Sequence, residues 1–497
     1  MSDIALSLLA HTNVGKTALA RTLLGTDVGE VRDAPHVTEF AERHELLATA
    51  AGDRLLLWDT PGFGDSVRLV RRMRQRSQPL GWLLGELWDR WRDQAFWATQ
   101  QALRHVREDS DVLLYLVNAA EPAAGYLAAE MELLAWIGKP VIVLLNQLGA
   151  PQSAELEATE LAAWRERYAH GPAGAWVRDV LPLDAFARCW VQERTLLDAV
   201  ARALDGERAA AMVRLAASWS AAREATFTEA TRELAASLGR IAATRIALDG
   251  EAGRSGWGER LRQFGVRVLR DDGHDAAAAG ERVLQRALEQ EVRTDTQALL
   301  ALHHIGGRAD GDPLAQVLAR VAGQEQQHRR VPEGRAAVLG GALTGALTGL
   351  KADLATGGLT LGAGLLAGGI LGALGAAGLA RGLNLVRGSD RSWVGWADEA
   401  MAAIVEAALL RYLAVAHFGR GRGNWAAGEA PAHWPAAVQQ ALAPHADALQ
   451  ALWHGRSRRY DAPEEAERLA AALQPIVDAA LRAALAQLYP GSDNRRA

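Results

Sequence analysis

The chain of 497 residues contains a single cysteine, Cys189. One thiol excludes an internal disulfide framework and any cysteine-rich metal site, which suits a reducing compartment. A positive excess is also lacking: 54 Lys and Arg face 59 Asp and Glu, a net charge of −5, with a pI near 6.3. That balance argues against a globally basic nucleic-acid binder. The 13 histidines are scattered; His303-His304 and His36 show no metal-ligand spacing and read as surface or packing residues. No repeat of fixed period is found. The N-terminus runs at once into an apolar strand, which leaves no room for a cleavable signal peptide and sets a cytosolic expectation. Apolar material is ample, since hydrophobic residues make up 49% of the chain. That is enough for more than one core, and the length predicts about three domains.

The densest chemistry lies in the first sixty residues. The apolar run 4–9 reads as a buried strand and the segment 17–24 as a helix, with Ala10-His11-Thr12-Asn13-Val14-Gly15-Lys16-Thr17 at their junction. Such a junction is a phosphate loop: successive backbone N–H groups and a helix N-terminus point at an anion. Lys16 is placed to bridge the β- and γ-phosphates, and the Thr17 hydroxyl to bind Mg²⁺. Val14, Gly15 and Ala18 complete the phosphate cradle. The usual pattern opens on glycine where this chain has Ala10, the more replaceable position, whereas Gly15 stands where backbone must approach phosphate closely. A second strand, Leu55-Leu56-Leu57-Trp58, delivers Asp59 to the magnesium, and Gly62 of Asp59-Thr60-Pro61-Gly62 supplies an N–H that senses the γ-phosphate. The interval between Lys16 and Asp59 holds one helix, a loop and two strands. Thr38, in Pro35-His36-Val37-Thr38-Glu39, is the candidate loop threonine for the metal.

On these residues the first 200 or so positions resemble the translation-factor-related class of P-loop GTPases, in particular the bacterial Era and TrmE-like branch of the 50S ribosome-binding type. That branch carries Asn-x-Gly-Lys-Ser/Thr and Asp-Thr-Pro-Gly. The resemblance implies a Ras-like α/β domain with a doubly wound, mostly parallel sheet, GTP and Mg²⁺ binding, and slow hydrolysis. It also implies an apolar residue after Asp-Thr-Pro-Gly in place of a water-positioning Gln, here Phe63. In some relatives the asparagine matching Asn13 helps bind K⁺. Here Asn13 either recruits such a cation or braces the loop.

The base-reading motif departs from the resemblance. Where the family has Asn-Lys-x-Asp after an apolar strand, Val141 to Leu145 is followed by Asn146-Gln147-Leu148-Gly149, and the carboxylate that accepts from guanine is absent. Asn146 can contact the base edge or hold the phosphate loop, and Gln147 can lie on a purine face. The last base motif is assigned to Leu183-Asp184-Ala185-Phe186, with a backbone N–H at Ala185 and Asp184 as a substitute carboxylate. GTP is expected from the resemblance, and the missing aspartate relaxes guanine over adenine preference.

Residues 66–110 form a long insert before the strand at 111–117. It opens with Arg68, Arg71, Arg72, Arg74 and Arg76 and continues through Leu80, Leu84, Leu87, Trp88 and Trp91 at helical spacing, with Trp82 and Trp97 adding aromatic bulk. Two readings fit: an apolar face packed on the helical remainder with solvated arginines, or an anionic membrane or protein-partner surface tied to the nucleotide state. After residue 205 the sequence turns alanine-rich and helical, with helices expected at 208–248, 275–304, 313–321, 397–417, 434–454 and 463–488. Loops at 250–256 and 306–311 separate some of them.

The tract 336–380 is apolar and glycine-rich. Its second half, 354–380, carries no charge and is long enough to span a bilayer. Gly364, Gly368 and Gly372 recur every fourth residue, the spacing that lets helices approach closely. It reads either as a glycine-zipper hairpin buried in the helical domain or as a membrane-inserted one. Trp393 and Trp396, with Arg381, Arg387 and Arg391, then follow as interface anchors. The whole layout resembles an uncharacterised bacterial family in which an Era-like GTPase domain precedes a C-terminal domain of unknown function with such a hairpin.

The expected domains are 1–205 (nucleotide domain, insert 66–110), 206–335 (helical), 336–386 (apolar hairpin) and 387–497 (helical). The expected function is a GTP-hydrolysing switch coupled to a helical domain at the inner face of the cytoplasmic membrane, with Lys16, Asn13, Thr38 and Gly62 serving turnover and Thr17, Thr38 and Asp59 the metal. The alternatives are a membrane scaffold that binds nucleotide without turnover, and a ribosome-associated GTPase. Nucleic acid is the less favoured partner.

Overall fold

The computed structural model describes residues 2–12, 14–24, 42–60, 62–63, 65–79, 81–82, 94–148, 154–183, 190–247, 273–303, 383–387, 392–417, 433–457 and 464–489. Two compact units divide the chain, one made chiefly of Met1–Ala225 and the other of Thr226–Val415 with Trp425–Leu488.

The first unit is a doubly wound α/β layer structure. In chain order it runs β1 (Asp3–Ala10), α1 (Lys16–Leu24), β2 (Glu42–Ala48), β3 (Arg54–Asp59), α2 (Ser66–Met73), α3 (Gln94–Asp109), β4 (Val112–Asn118), α4 (Tyr126–Ile137), β5 (Val141–Asn146), α5 (Ala154–Ala169), β6 (Val177–Pro182) and α6 (Trp190–Ala203). The six strands lie in the order β2-β3-β1-β4-β5-β6. β2 is antiparallel to β3, and every other pairing is parallel. β1, β4 and β5 are nearly uninterrupted apolar runs because both faces of a parallel sheet are covered. Alternate residues go to opposite layers: Ile4, Leu6 and Leu8 meet Leu19 of α1 and Leu197 and Val200 of α6. On the other face Leu9, Leu113 and Tyr115 meet α2, α3, α4 and α5.

That second layer corrects one reading of the insert. Leu69, Val70 and Met73 of α2 and Leu103 and Val106 of α3 join the core over β1 and β4. Their apolar face therefore covers the first unit's own sheet, because Leu9 and Tyr115 would otherwise face water. Arg68, Arg71, Arg74 and Arg76 are exposed on the outer side. Leu80, Leu84, Leu87, Trp88 and Trp91 lie outside the described residues.

The 38-residue helix α7 (Gly206–Ala243) opens beyond α6, and Ala211, Met212, Leu215 and Trp219 from its first part join the first unit's core. The second unit contains the rest of α7, then β7 (Arg245–Ala247), α8 (Gly273–Leu302), β8 (Leu383–Arg387), β9 (Ser392–Trp396), α9 (Asp398–His417), α10 (Trp434–Leu442), α11 (Ala446–His454) and α12 (Glu464–Leu488). It is mainly helical, as expected, but also holds a three-stranded antiparallel sheet in the order β7-β9-β8. Helix was expected through residue 248, yet Ile246 pairs with Val394 in this sheet. Trp396, expected as a membrane-interface anchor, is only 3% exposed, because Ser392-Trp393-Val394-Gly395-Trp396 is a strand. The helix expected over 434–454 is broken at Ala443–His445, where Pro444 lacks the N–H needed to continue it.

Two features pin the helices of this unit. Gly239 sits where α7 crosses α12 so closely that a Cβ would stand 2.5 Å from the Ala466 carbonyl. Arg411 of α9 and Asp295 of α8 form a fully buried ion pair, beside which Arg240 bonds Glu291 at 2.8 Å and Glu233 at 3.2 Å. Among the described residues one helix, α12, is long and apolar enough to cross a membrane by length and composition, and 39% of that stretch is buried. The tract 336–380, the helix expected at 313–321, Cys189, His36, His304, Arg381 and Arg391 lie outside the described residues.

Candidate functional site

The loop after β1 lies at the carboxyl end of the sheet where strand order reverses, with β3 on one side of β1 and β4 on the other. This is the place where open α/β sheets bind ligands. Gly15 adopts φ +95°, and a Cβ there would stand 2.8 Å from Asn146 Nδ2. That amide donates to the Val14 carbonyl at 2.7 Å. Of the two roles open to Asn146, the structure therefore places its amide on the phosphate loop. Gln147 follows at φ 56°, a left-handed conformation.

The segment after β3 runs alongside β1. Thr60 Oγ1 donates to the Leu8 carbonyl, Phe63 N donates to the Ala10 carbonyl at 2.8 Å, and His11 bridges Phe63 in parallel register. Gly62 is thereby held against the loop: a Cβ there would lie 3.2 Å from Lys16 Nζ and 3.3 Å from Thr12 Cα. Asp59 arrives from β3 beside α1, and Thr17 Oγ1 donates to its Oδ2 at 2.8 Å.

The electrostatics describe a desolvated cation and anion facing each other. Burial pushes the Lys16 ammonium pKa down, while the charges of Asp59 and Glu130 hold it up. Burial pushes the Asp59 carboxyl up, against Lys16 and the Thr17 hydrogen bond. Asp59 Oδ1 is buried without a hydrogen-bond partner. A hydroxyl and a carboxylate side by side, with one carboxylate oxygen unmatched, are hard oxygen donors of the kind Mg²⁺ takes. The residues present thus fit the metal.

The structure brings Val14, Gly15, Lys16, Thr17, Ala18, Asp59, Gly62 and Asn146 together around one loop, with Gln147 just past the end of β5. Asn13, Thr38, Asp184 and Ala185 lie outside the described residues. Sequence reasoning missed His11, Glu130, Tyr115 and Tyr126. His11 Nδ1 lies 2.7 Å from Glu130 Oε1, Tyr115 Oη donates to Glu130 Oε2 at 2.8 Å, and His11 stacks on Tyr126 with centroids 4.0 Å apart. Burial pushes the Glu130 carboxyl up, and its bonds to His11 and Tyr115 oppose that shift. The available signal was a lone acid inside the apolar run Tyr126–Ile137, four residues after a tyrosine. A separate cavity of about 520 Å³ includes Asp3, Ser110 and Lys139 at the opposite ends of the strands. Two of its acids are paired locally, Asp3 with Arg54 and Asp111 with Arg208.

A lysine, a hydroxyl and a carboxylate converging on a glycine-bearing loop at the switch point define a P-loop nucleoside-triphosphate-binding domain. Comparison with known proteins agrees: residues 6–147 match the family described as 50S ribosome-binding GTPase. Residues 177–474 match the one described as Domain of unknown function (DUF3482). The second match spans more than half of the chain, and the protein belongs to that family. GTPase Der of Syntrophotalea carbinolica is 29% identical over 168 residues, 33% of this chain and 30% of the relative. GTPase Era of Carboxydothermus hydrogenoformans is 26% identical over 151 residues, 30% of this chain and 42% of the relative. The chain thus spans less than half the length of these curated relatives. The crystal structure of Aquifex aeolicus Era bound to GDP.AlF4⁻ is 17% identical, covering 41% of this chain and 58% of that one, with a TM-score of 0.30.

Proposed function

We propose that residues 1–205 bind GTP with Mg²⁺ and hydrolyse it to GDP and phosphate, as a nucleotide switch coupled to the helical part of the chain. The observation that carries this reading is the convergence of Lys16, Thr17, Asp59 and Gly62 on one loop. Lys16 neutralises charge developing on the β- and γ-phosphates. Thr17, Thr38 and Asp59 hold the cation, which when bound withdraws charge from the same phosphates. The Gly62 N–H meets the γ-phosphate and distinguishes triphosphate from diphosphate. Phe63 is fully buried, so the attacking water is not oriented from that position. Asn13 serves turnover by recruiting K⁺ to the transition state or by bracing the loop. Asn146, Gln147, Asp184 and Ala185 surround the base.

Coupling runs through the insert 66–110, which follows the Asp59 motif directly and carries exposed arginines on α2. These arginines suit an anionic membrane surface or an acidic protein partner, and the uncharged tract 354–380 supports membrane attachment at the cytoplasmic face. A membrane scaffold that binds nucleotide without turnover is the second reading, favoured by the burial of Phe63 and the missing aspartate at position 149. A ribosome-associated GTPase is the third. The net charge of −5 weighs against nucleic acid. The experiment is to measure binding of GDP and GTP with Mg²⁺ by the full chain, then turnover with K⁺ or Na⁺ and with anionic or neutral vesicles. Absence of nucleotide binding would remove all three readings. Binding without turnover would leave the second, and salt-sensitive binding of ribosomal RNA would support the third.

A further inference from the structure

Glu130 is fully buried on α4, among Leu127, Met131 and Leu134, where packing alone favours an apolar residue. A carboxyl withdrawn from water is costly unless paired, and both oxygens of Glu130 are committed, one to His11 and the other to Tyr115. Tyr126 lies one helical turn before Glu130, so one face of α4 grips the same imidazole by hydrogen bond and by a stack tilted only 6°. His11 is the second residue of the phosphate loop. Its backbone pairs with Phe63, and Phe63 N is bonded to the Ala10 carbonyl. Gly62 directly precedes Phe63. From the same helix Glu132 accepts from Arg74 Nε, just past the end of α2, at 3.0 and 3.1 Å.

We propose that Glu130 is a positioning residue for the γ-phosphate end of the site: by holding His11 it fixes the Ala10–Phe63 pairing and with it the Gly62 N–H. The inference rests on reading residues 1–205 as a GTPase. Loss of Glu130 leaves Gly15, Lys16 and Thr17 in position and the Asn146 bond to Val14 in place; the charge it also lends Lys16 is lost equally in Glu130→Gln, which keeps the hydrogen bonds and so separates the two effects. Diphosphate binding therefore persists while steps that need the γ-phosphate suffer.

The test uses the full chain with Glu130→Leu, Glu130→Gln, His11→Phe and the double variant Glu130→Leu/His11→Phe. For each, kcat and KM for GTP, Kd for GDP and for non-hydrolysable GDPNP, and Tm are measured. Glu130→Leu and His11→Phe each lower kcat about tenfold, since small misplacements of reacting groups cost factors of this order. GDPNP affinity falls while GDP affinity stays within about twofold, and the double variant is no more than about twofold worse than the worse single one. Glu130→Gln keeps most of the activity, because its amide still accepts from His11 and donates to Tyr115. If Glu130→Leu fails to fold, His11→Phe, which keeps the stack on Tyr126, decides alone. Unchanged kcat, losses that multiply in the double variant, a glutamine as impaired as leucine, or GDP affinity falling in step with kcat would each overturn the positioning role. A wild-type chain that neither binds nor hydrolyses GTP removes the GTPase reading and this one with it. An active wild type with unaffected variants removes this one alone.

Discussion

Replacing Asn146 with alanine isolates the bond that ties the phosphate loop to the end of β5. The amide is fully buried and donates to the Val14 carbonyl at 2.7 Å, and Val14 is itself only 4% exposed. The substitution leaves a buried carbonyl without this donor, at a cost of about 1–3 kcal/mol. Nucleotide binding rebuilds the loop and meets that cost, so the GDP dissociation constant rises by between about fivefold and about 150-fold. Asn146→Asp has the same shape but sets an oxygen against the Val14 oxygen, and it weakens binding at least as much as alanine. The assay is equilibrium titration of nucleotide-free protein with a fluorescent GDP analogue in Mg²⁺, with circular dichroism checking the fold. Alanine binding within about twofold of wild type, or aspartate binding as tightly as asparagine, would refute the claim that this bond shapes the loop.

Arg411→Met alone leaves Asp295 buried and unpaired and destabilises the second unit by about 3–5 kcal/mol, whereas Arg411→Met with Asp295→Leu is close to neutral; thermal unfolding of the two variants separates these outcomes. Asp53 is buried and accepts from Arg214 at 2.8 Å and Ser2 N at 3.0 Å, and the Arg214 bond holds its carboxyl below the ordinary 3.8. A depressed folded pKa adds stability above that ordinary value that is lost as pH falls through the folded one, so Asp53→Asn loses less Tm between neutral pH and pH near 3 than wild type does. With Gly149 where relatives carry aspartate, the guanine 2-amino group lacks its usual carboxylate acceptor. Competition assays should give GTP and ITP affinities within about tenfold of each other; a much larger preference for GTP would require another carboxylate at the base.

The phosphate loop was legible because its chemistry is local: Gly15, Lys16 and Thr17 are consecutive, and Asp59 and Gly62 belong to one short motif. The doubly wound sheet was expected from the family resemblance that these motifs carry, and the apolar runs of β1, β4 and β5, buried on both faces, agree with it. The direction of the insert was not. Helical periodicity gives α2 an apolar face but does not say which surface meets it, and Leu69 and Val70 turned out to cover β1 and β4. The sheet β7-β9-β8 escaped because its strands are only three to five residues long and β7, nearly 150 positions before β9, pairs with it only through tertiary contact, at the end of a segment whose alanine content argues for helix. Pro444 was a breaker in plain view, outweighed by the apolar periodicity on either side. The Glu130–His11 contact joins residues 119 positions apart, and no spacing in the sequence announces it.

The most direct test of the account is single-turnover hydrolysis of GTP by the full chain beside Lys16→Ala, in Mg²⁺ with K⁺. The account predicts phosphate release by the wild-type chain and a loss of at least about a hundredfold in the variant, because one charged donor at a developing phosphate charge supplies a factor of that order. Equal release by both proteins, or none by the wild type while GDP remains bound, would contradict the claim that the loop at Lys16 is a working GTPase site.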